Sequence, residues 1–139
     1  MKSGAFIDSV RREFAPLAEK HGLRELGTKE TYAYKAIAYT NGERAVQFDL
    51  DVRDGYLDVY YPVASIYLTK RGLAAPTMHD YTQFMHDYNR KRSVKHLLNA
   101  EGIFWPDREG GLYDPGVLEK ALHDLIEGMD RHSEEVFGR

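Results

Sequence analysis

Asp49, Asp51 and Asp58, interleaved with Tyr56 and Tyr60, are the residues of this chain whose types and spacing best suit chemistry or binding. They fall at alternate positions of two segments, Arg44–Arg53 and Tyr56–Val63. The positions between them are apolar: Val46, Phe48, Leu50 and Val52 in the first, Leu57, Val59, Tyr61 and Val63 in the second. A period of two is the mark of a β-strand, so the acids and tyrosines share one face, which the pattern assigns to solvent. Clustered carboxylates can meet a cationic partner, hold a hard metal ion or divide acid and base roles. Tyrosines add amphipathic contact area with little rotamer entropy to lose. Like charges directly opposite on a sheet repel, so such a face calls for a counter-charge. A positively charged partner supplies one. So would Arg44, Arg53 or Lys35, in which case the face is an ordinary solvated one.

No spacing here matches a metal loop, and two aspartates on an open face lack the enclosure that tunes a carboxyl for catalysis. No nucleotide-binding glycine loop is present, since Gly110-Gly111 lacks the lysine and its spacing. Ser9, Ser65 and Ser93 sit in no nucleophile-elbow context. The reading is therefore of no catalytic residue, no metal and no cofactor, with Asp49, Asp51, Tyr56, Asp58 and Tyr60 as a partner-binding set.

The elements that position this set are a β-meander over Thr31–Val63. Asp54-Gly55 suits a two-residue turn. That turn sets Val52 against Leu57, Leu50 against Val59 and Phe48 against Tyr61, and on the other face Asp51 against Asp58 and Asp49 against Tyr60. Asn41-Gly42 marks the turn before it, closing a strand over 31–40. A three-residue loop with Gly42 in the left-handed region would pair Phe48 with Tyr34 and Leu50 with Tyr32. That register is preferred because it keeps Lys35 off the apolar face. A fourth short strand near Ser65–Thr69 is a further candidate.

Helices flank the meander. Phe6, Val10, Phe14 and Leu17 form one stripe over 4–21, with Ser3 as N-cap, Pro16 as a source of a kink and Gly22 as the stop. Thr77 can cap a helix over Met78–Lys91. Ser93 can cap a shorter one holding Val94, Leu97 and Leu98, ended by Gly102. Asp114-Pro115 starts a long amphipathic helix carrying Leu118, Leu122, Leu125 and Met129 and running to about Phe137.

The chain has 139 residues, 42% hydrophobic and 29% charged, with a formal net charge of −3. This composition fits one soluble domain, 1–139, around one core. Without cysteine there is no disulfide framework, thiolate metal site or thiol catalysis. Asp8 and Ser9 interrupt the only apolar start, and no stretch approaches the length of a membrane span, so no membrane association and a cytoplasmic location are expected. The mild acidity argues against a nucleic-acid binder. The cationic run Asn89–His96 reads as a helix junction, for no aromatic platform interleaves with it. His79 and His86, two turns apart, are too distant to share an ion, and His96, His123 and His132 form no motif with them.

The segment Phe14-Ala15-Pro16-Leu17-Ala18-Glu19-Lys20-His21-Gly22-Leu23 resembles an opening common in small bacterial proteins in which an antiparallel meander and then helices follow. Many of those proteins are encoded beside polymorphic or contact-dependent toxins and are taken to be immunity proteins. The resemblance implies an α+β fold: an N-terminal helix, a three- to four-stranded antiparallel meander, and C-terminal helices on one face of the sheet with the other face open. It also implies a non-enzymatic immunity function; the acid–tyrosine face read from the residues would then be the surface that occludes a basic toxin domain. A secretion-chaperone-like or regulatory dimer is the alternative, followed by a small enzyme or a nucleic-acid binder. Monomer and homodimer are both open: a stable homodimer would favour that chaperone-like alternative, a monomer the immunity reading.

Overall fold

The computed structural model describes residues 3–53, 55–61, 93–102 and 115–138. Helix α1 (Ser3–Lys20) is followed by four strands, β1 (Arg24–Glu30), β2 (Tyr34–Thr40), β3 (Ala45–Asp51) and β4 (Tyr56–Tyr60). Among the described residues, α2 (Val94–Ala100), α3 (Pro115–Arg131) and α4 (Ser133–Phe137) come after them. The strands form one antiparallel sheet in the order β1-β2-β3-β4. The fold is α+β, as expected. The candidate strand near Ser65–Thr69, the helix over Met78–Lys91, Val63, His79, His86 and the run 89–92 lie outside the described residues.

Helix α1 runs through Pro16 without interruption and includes Ser3 rather than starting after it. It ends on Gly22 at φ 66°. Leu23 N donates to Ala18 O and Gly22 N to Glu19 O, at 2.8 and 3.2 Å. This paired arrangement needs a left-handed residue, which glycine adopts without a Cβ penalty, and it turns buried Leu23 back onto the helix. Phe6, Val10, Phe14 and Leu17 face the sheet and are buried. The Phe14 ring meets Tyr39 at 4.9 Å and Phe48 at 5.0 Å, both edge-on. Leu118, Leu122, Leu125 and Met129 of α3 complete that core together with Val94 and Leu98 of α2. The long C-terminal helix breaks at His132, so its last turn forms separate α4.

Both hairpin registers differ from those the turns suggest. Across β3 and β4, Leu50 faces Leu57, Phe48 faces Val59, Asp49 faces Asp58 and Asp51 faces Tyr56. The loop therefore spans residues 52–55, with Gly55 at φ 65°, rather than two residues. A slip of two residues keeps every side chain on its face, so hydrophobic pattern could not detect it. The expected Asp51–Asp58 and Asp49–Tyr60 oppositions are replaced by Asp49–Asp58 and Gln47–Tyr60. Across β2 and β3, Ile37 faces Phe48, Tyr39 faces Val46 and Lys35 faces Leu50. The Asn41 carboxamide accepts from Glu43 N and Arg44 N at 3.0 and 2.8 Å and shapes this turn. Lys35 does lie on the apolar face. It is buried, and its ammonium escapes by donating to the carbonyls of Thr31 and Tyr32 at the sheet's end.

The second face of the sheet is not open. Ala36, Ala38, Thr40, Ala45, Gln47 and Asp58 on that face are all buried. The two-residue rhythm of small Ala36, Ala38 and Ala45 fits a sheet enclosed on both sides. β1 is an exposed edge, irregular between Glu25 and Gly27 and carrying Lys29 and Glu30. At the opposite edge Ser93 makes an antiparallel bridge with Tyr60.

Candidate functional site

The register brings three rows together on the second face. One row is Lys29, Ala36, Asp49, Asp58; its neighbours are Gly27, Ala38, Gln47, Tyr60 on one side and Tyr34, Asp51, Tyr56 on the other. All five expected residues thus share one face, and Gln47 and Tyr34 join them. Sequence reasoning placed Gln47 on this face without assigning it a role, and put Tyr34 on the other face because the register of the first hairpin was off.

Asp58 is 1% exposed and is held from four directions. Its Oδ1 accepts from Val59 N at 2.7 Å and from Lys95 N at 3.0 Å. Its Oδ2 accepts from Tyr56 OH at 3.0 Å, and the Ser93 hydroxyl adds a fourth hydrogen bond. Lys95 N belongs to the first turn of α2, whose His96 N is capped by Ser93 Oγ at 3.2 Å. Asp58 is therefore a cap supplied from a strand, a role that local sequence cannot show. Burial pushes its carboxyl upward, and the backbone amides of Lys95 and Val59, with Ser93 and Tyr56, hold it back.

Asp49, directly across, is less enclosed and less well held. Gln47 Nε2 donates to its Oδ1 at 2.8 Å, and the Tyr34 hydroxyl forms a second hydrogen bond. Burial first, and the Asp58 charge after it, push its carboxyl up to about 7 against the pull of Gln47, Tyr34 and Lys29. None of the cations expected as counter-charges reaches this pair. Lys35 points to the other face, Arg53 is exposed, and the Arg44 guanidinium lies against Gly138. Neither Asp49 nor Asp58 forms an ion pair with a described residue.

The tyrosines are tied into the same network. Tyr60 OH donates to Tyr56 OH at 3.3 Å, and Gln47 Nε2 also reaches Tyr34 OH at 3.3 Å. Lys95 Nζ stands 4.5 Å from the centre of the Tyr56 ring and Lys29 Nζ 5.9 Å from that of Tyr34. Burial and the neighbouring carboxylates raise both Tyr34 and Tyr56 well beyond the usual phenol range, so both stay protonated donors. Gln47 is 2% exposed, and its Oε1 has no hydrogen-bond partner among the described residues.

Tyr32 stands apart. It is 98% exposed at the tip of the β1–β2 turn, at the end of the sheet that carries the row Tyr34, Asp51, Tyr56. The Lys35 ammonium holds that tip through the Tyr32 carbonyl at 3.4 Å.

Elsewhere, a cleft of about 170 Å³ between α2 and α3 is lined by Leu98, Asp124, Glu127 and Arg131 and holds none of these residues. His123 pairs with Glu127, and His132 contacts Glu101. No group of three or more metal-binding side chains occurs among the described residues. Among them, no helix is long and apolar enough to cross a membrane.

Fold and site together define an α+β meander protein with an acid–tyrosine network on one sheet face. Comparison with protein-family models, with curated proteins and with solved structures finds no match for the chain.

Proposed function

We propose that this chain is a non-enzymatic, cytoplasmic protein-binding module of the immunity type, which neutralises a basic toxin domain by covering it. The observation that carries this reading is Tyr32, a large aromatic left 98% exposed beside the half-buried row Tyr34, Asp51, Tyr56. Rigid tyrosines around a carboxylate are the composition of protein-binding patches. Here the turn is held by Lys35 and the rings by their hydroxyl network, so little ordering entropy is lost on docking. Tyr32, Asp51, Tyr56, Asp49 and Tyr60 form the contact surface. Asp58 acts from behind by fixing Tyr56. The mild net negative charge speeds encounter with a basic partner.

Pairing through the sheet edge, as a chaperone or regulatory dimer would use, fits less well. The exposed edge β1 is bulged and carries Arg24, Glu25, Lys29 and Glu30, features that discourage strand addition.

The test is co-expression with the products of the genes adjacent to its own. A toxic neighbour should be neutralised and should co-purify with the chain. Tyr32→Ser combined with Asp51→Asn should weaken that complex by about tenfold or more, since an aromatic anchor contributes roughly 1–2 kcal/mol. Absence of any complex with the neighbouring products, or unchanged affinity in the double variant, would overturn the reading.

A further inference from the structure

We propose that the turn over residues 31–34 is a rigid plug that seats the Tyr32 ring in a ring-sized cleft of the partner protein, with Lys35 as the residue that positions it. This rests on the docking reading above and adds to it the shape of the surface that receives the ring.

Lys35 stands where a lysine is least expected. Its cross-strand partners are Glu30 and Leu50, and it is 5% exposed on the apolar face of the sheet. A leucine or methionine would fill that place with no charge to accommodate. The stem instead runs along apolar surface to the end of the sheet, where the ammonium donates to the carbonyls of Thr31 and Tyr32. One carbonyl precedes Tyr32 and the other is its own. A single side chain thus grips the backbone on both sides of the exposed ring.

The rest of the turn is tied down as well. Thr31 N donates to Tyr34 O at 2.8 Å, and Tyr34 N donates to Thr31 Oγ1 at 3.1 Å. Val52 N, from the β3–β4 loop, donates to Ala33 O at 2.8 Å. Every residue from 31 to 34 therefore has a backbone group in a hydrogen bond. The entropy of ordering this backbone is lost on folding and not again on docking.

Tyr32 is 98% exposed, so its own chain covers almost none of the ring. A contact that takes the ring out of water must surround it from the partner's side, and a flat surface reaches only one ring face. The fitting partner has a cleft about as deep as a phenol ring, with apolar walls and a polar atom at its floor for the hydroxyl. Ligand sites have this shape, and a ring seated there excludes the partner's own ligand.

The clamp is tested in the free full chain, and the cleft in the complex with the toxic neighbouring product. Lys35→Met keeps a long apolar stem and removes the donor. Amide exchange at Thr31 and Tyr34 should accelerate by about tenfold or more, while exchange at the centre of β2 and β3 stays the same and the urea midpoint is unchanged or raised. Unchanged exchange in the turn overturns the positioning role. So does a uniform acceleration across the sheet with a lower midpoint, which is what a merely structural lysine would give. In the complex, Tyr32→Trp should weaken binding as strongly as Tyr32→Ser, about tenfold or more, because a larger ring does not enter a cleft shaped for a phenol. Tyr32→Phe, which keeps the ring and loses the hydroxyl bond, should fall between wild type and Tyr32→Ser. Tyr32→Trp that binds as tightly as wild type, or more tightly, overturns the cleft. Failure to form any complex sinks the docking reading and the cleft with it, whereas exchange in the free chain decides the clamp by itself.

Discussion

Replacing Asp49 with asparagine should stabilise this protein at alkaline pH and flatten the pH dependence of its stability. In the fold Asp49 lies across from Asp58, partly buried and without an ion pair among the described residues. Burial is the main reason its carboxyl moves from the ordinary 3.8 to about 7. In the unfolded chain it returns to its ordinary value. Between the two values the folded state holds a proton that the unfolded chain has released. Stability from this group therefore falls as pH rises through the window and levels off above about 7. At about 1.4 kcal/mol for each tenfold change in proton affinity, the roughly three decades between the two values set a ceiling of about 4 kcal/mol. Residual solvent access and joint titration with Asp58 reduce this to about 2 kcal/mol. Asparagine keeps a carbonyl oxygen for Gln47 and Tyr34, and its amide can donate across the strands to the Asp58 carboxylate. Asp49→Asn should thus gain about 2 kcal/mol at roughly pH 8 and only a few tenths at roughly pH 4. Urea unfolding of both proteins at several pH values, with m unchanged, measures this difference directly. A variant less stable than wild type at pH 8, or a difference that does not vary with pH, would refute the placement of an uncompensated carboxylate at this position.

Asp58 should behave in the opposite way. Asp58→Ala leaves Lys95 N, Val59 N and the Tyr56 hydroxyl without their acceptor in a buried setting, and should destabilise by about 3 kcal/mol. Amide exchange at Lys95 should accelerate ahead of global unfolding, whereas a loss below about 1 kcal/mol would contradict the capping role. At Gly128, a Cβ would stand 2.8 Å from Leu98 Cδ2, where α3 crosses α2. The helix-propensity gain of about 1 kcal/mol from Gly128→Ala should be outweighed by overpacking, for a net loss of about 1 kcal/mol. In a Leu98→Ala background the same change should become stabilising, and a double-mutant cycle in thermal or urea unfolding reads the coupling.

Much of the scaffold was legible because its rules are local. The α1 stripe with its Gly22 stop, the Ser93 cap and the Pro115 start are each written within a few residues, and all three appear in the structure. The strand faces of β3 and β4 followed from alternation. What failed was non-local. β1, with the sequence Arg-Glu-Leu-Gly-Thr-Lys-Glu, has few β-favouring residues and is a strand because β2 pairs with it. A lysine at position 35 argues against the true first register, yet its long stem lets the ammonium leave an apolar face and find carbonyls. The second face read as solvated because aspartate and tyrosine are polar. The contrary signal was Ala36 and Ala38, small residues where an open face would carry charged ones.

The consequence for the site is a division of labour between two aspartates that look equivalent in the sequence. Asp58 draws its donors from β4, from the Ser93 hydroxyl and from the first turn of α2, so its carboxylate is used up in joining sheet to helix. Among the described residues Asp49 receives two side-chain donors, and one of them, Gln47, is itself left with an unmet acceptor. A partly buried carboxylate opposite another one, with no ion pair among the described residues, is unfavourable at neutral pH, so asparagine at position 49 would be the more stable choice. Among the described residues Lys29, in the same cross-strand row, is the cation whose charge favours the Asp49 carboxylate. Asp49 and the exposed Tyr32 thus differ in kind: a carboxyl raised by burial within the sheet face, and a ring that stands in solvent at its end.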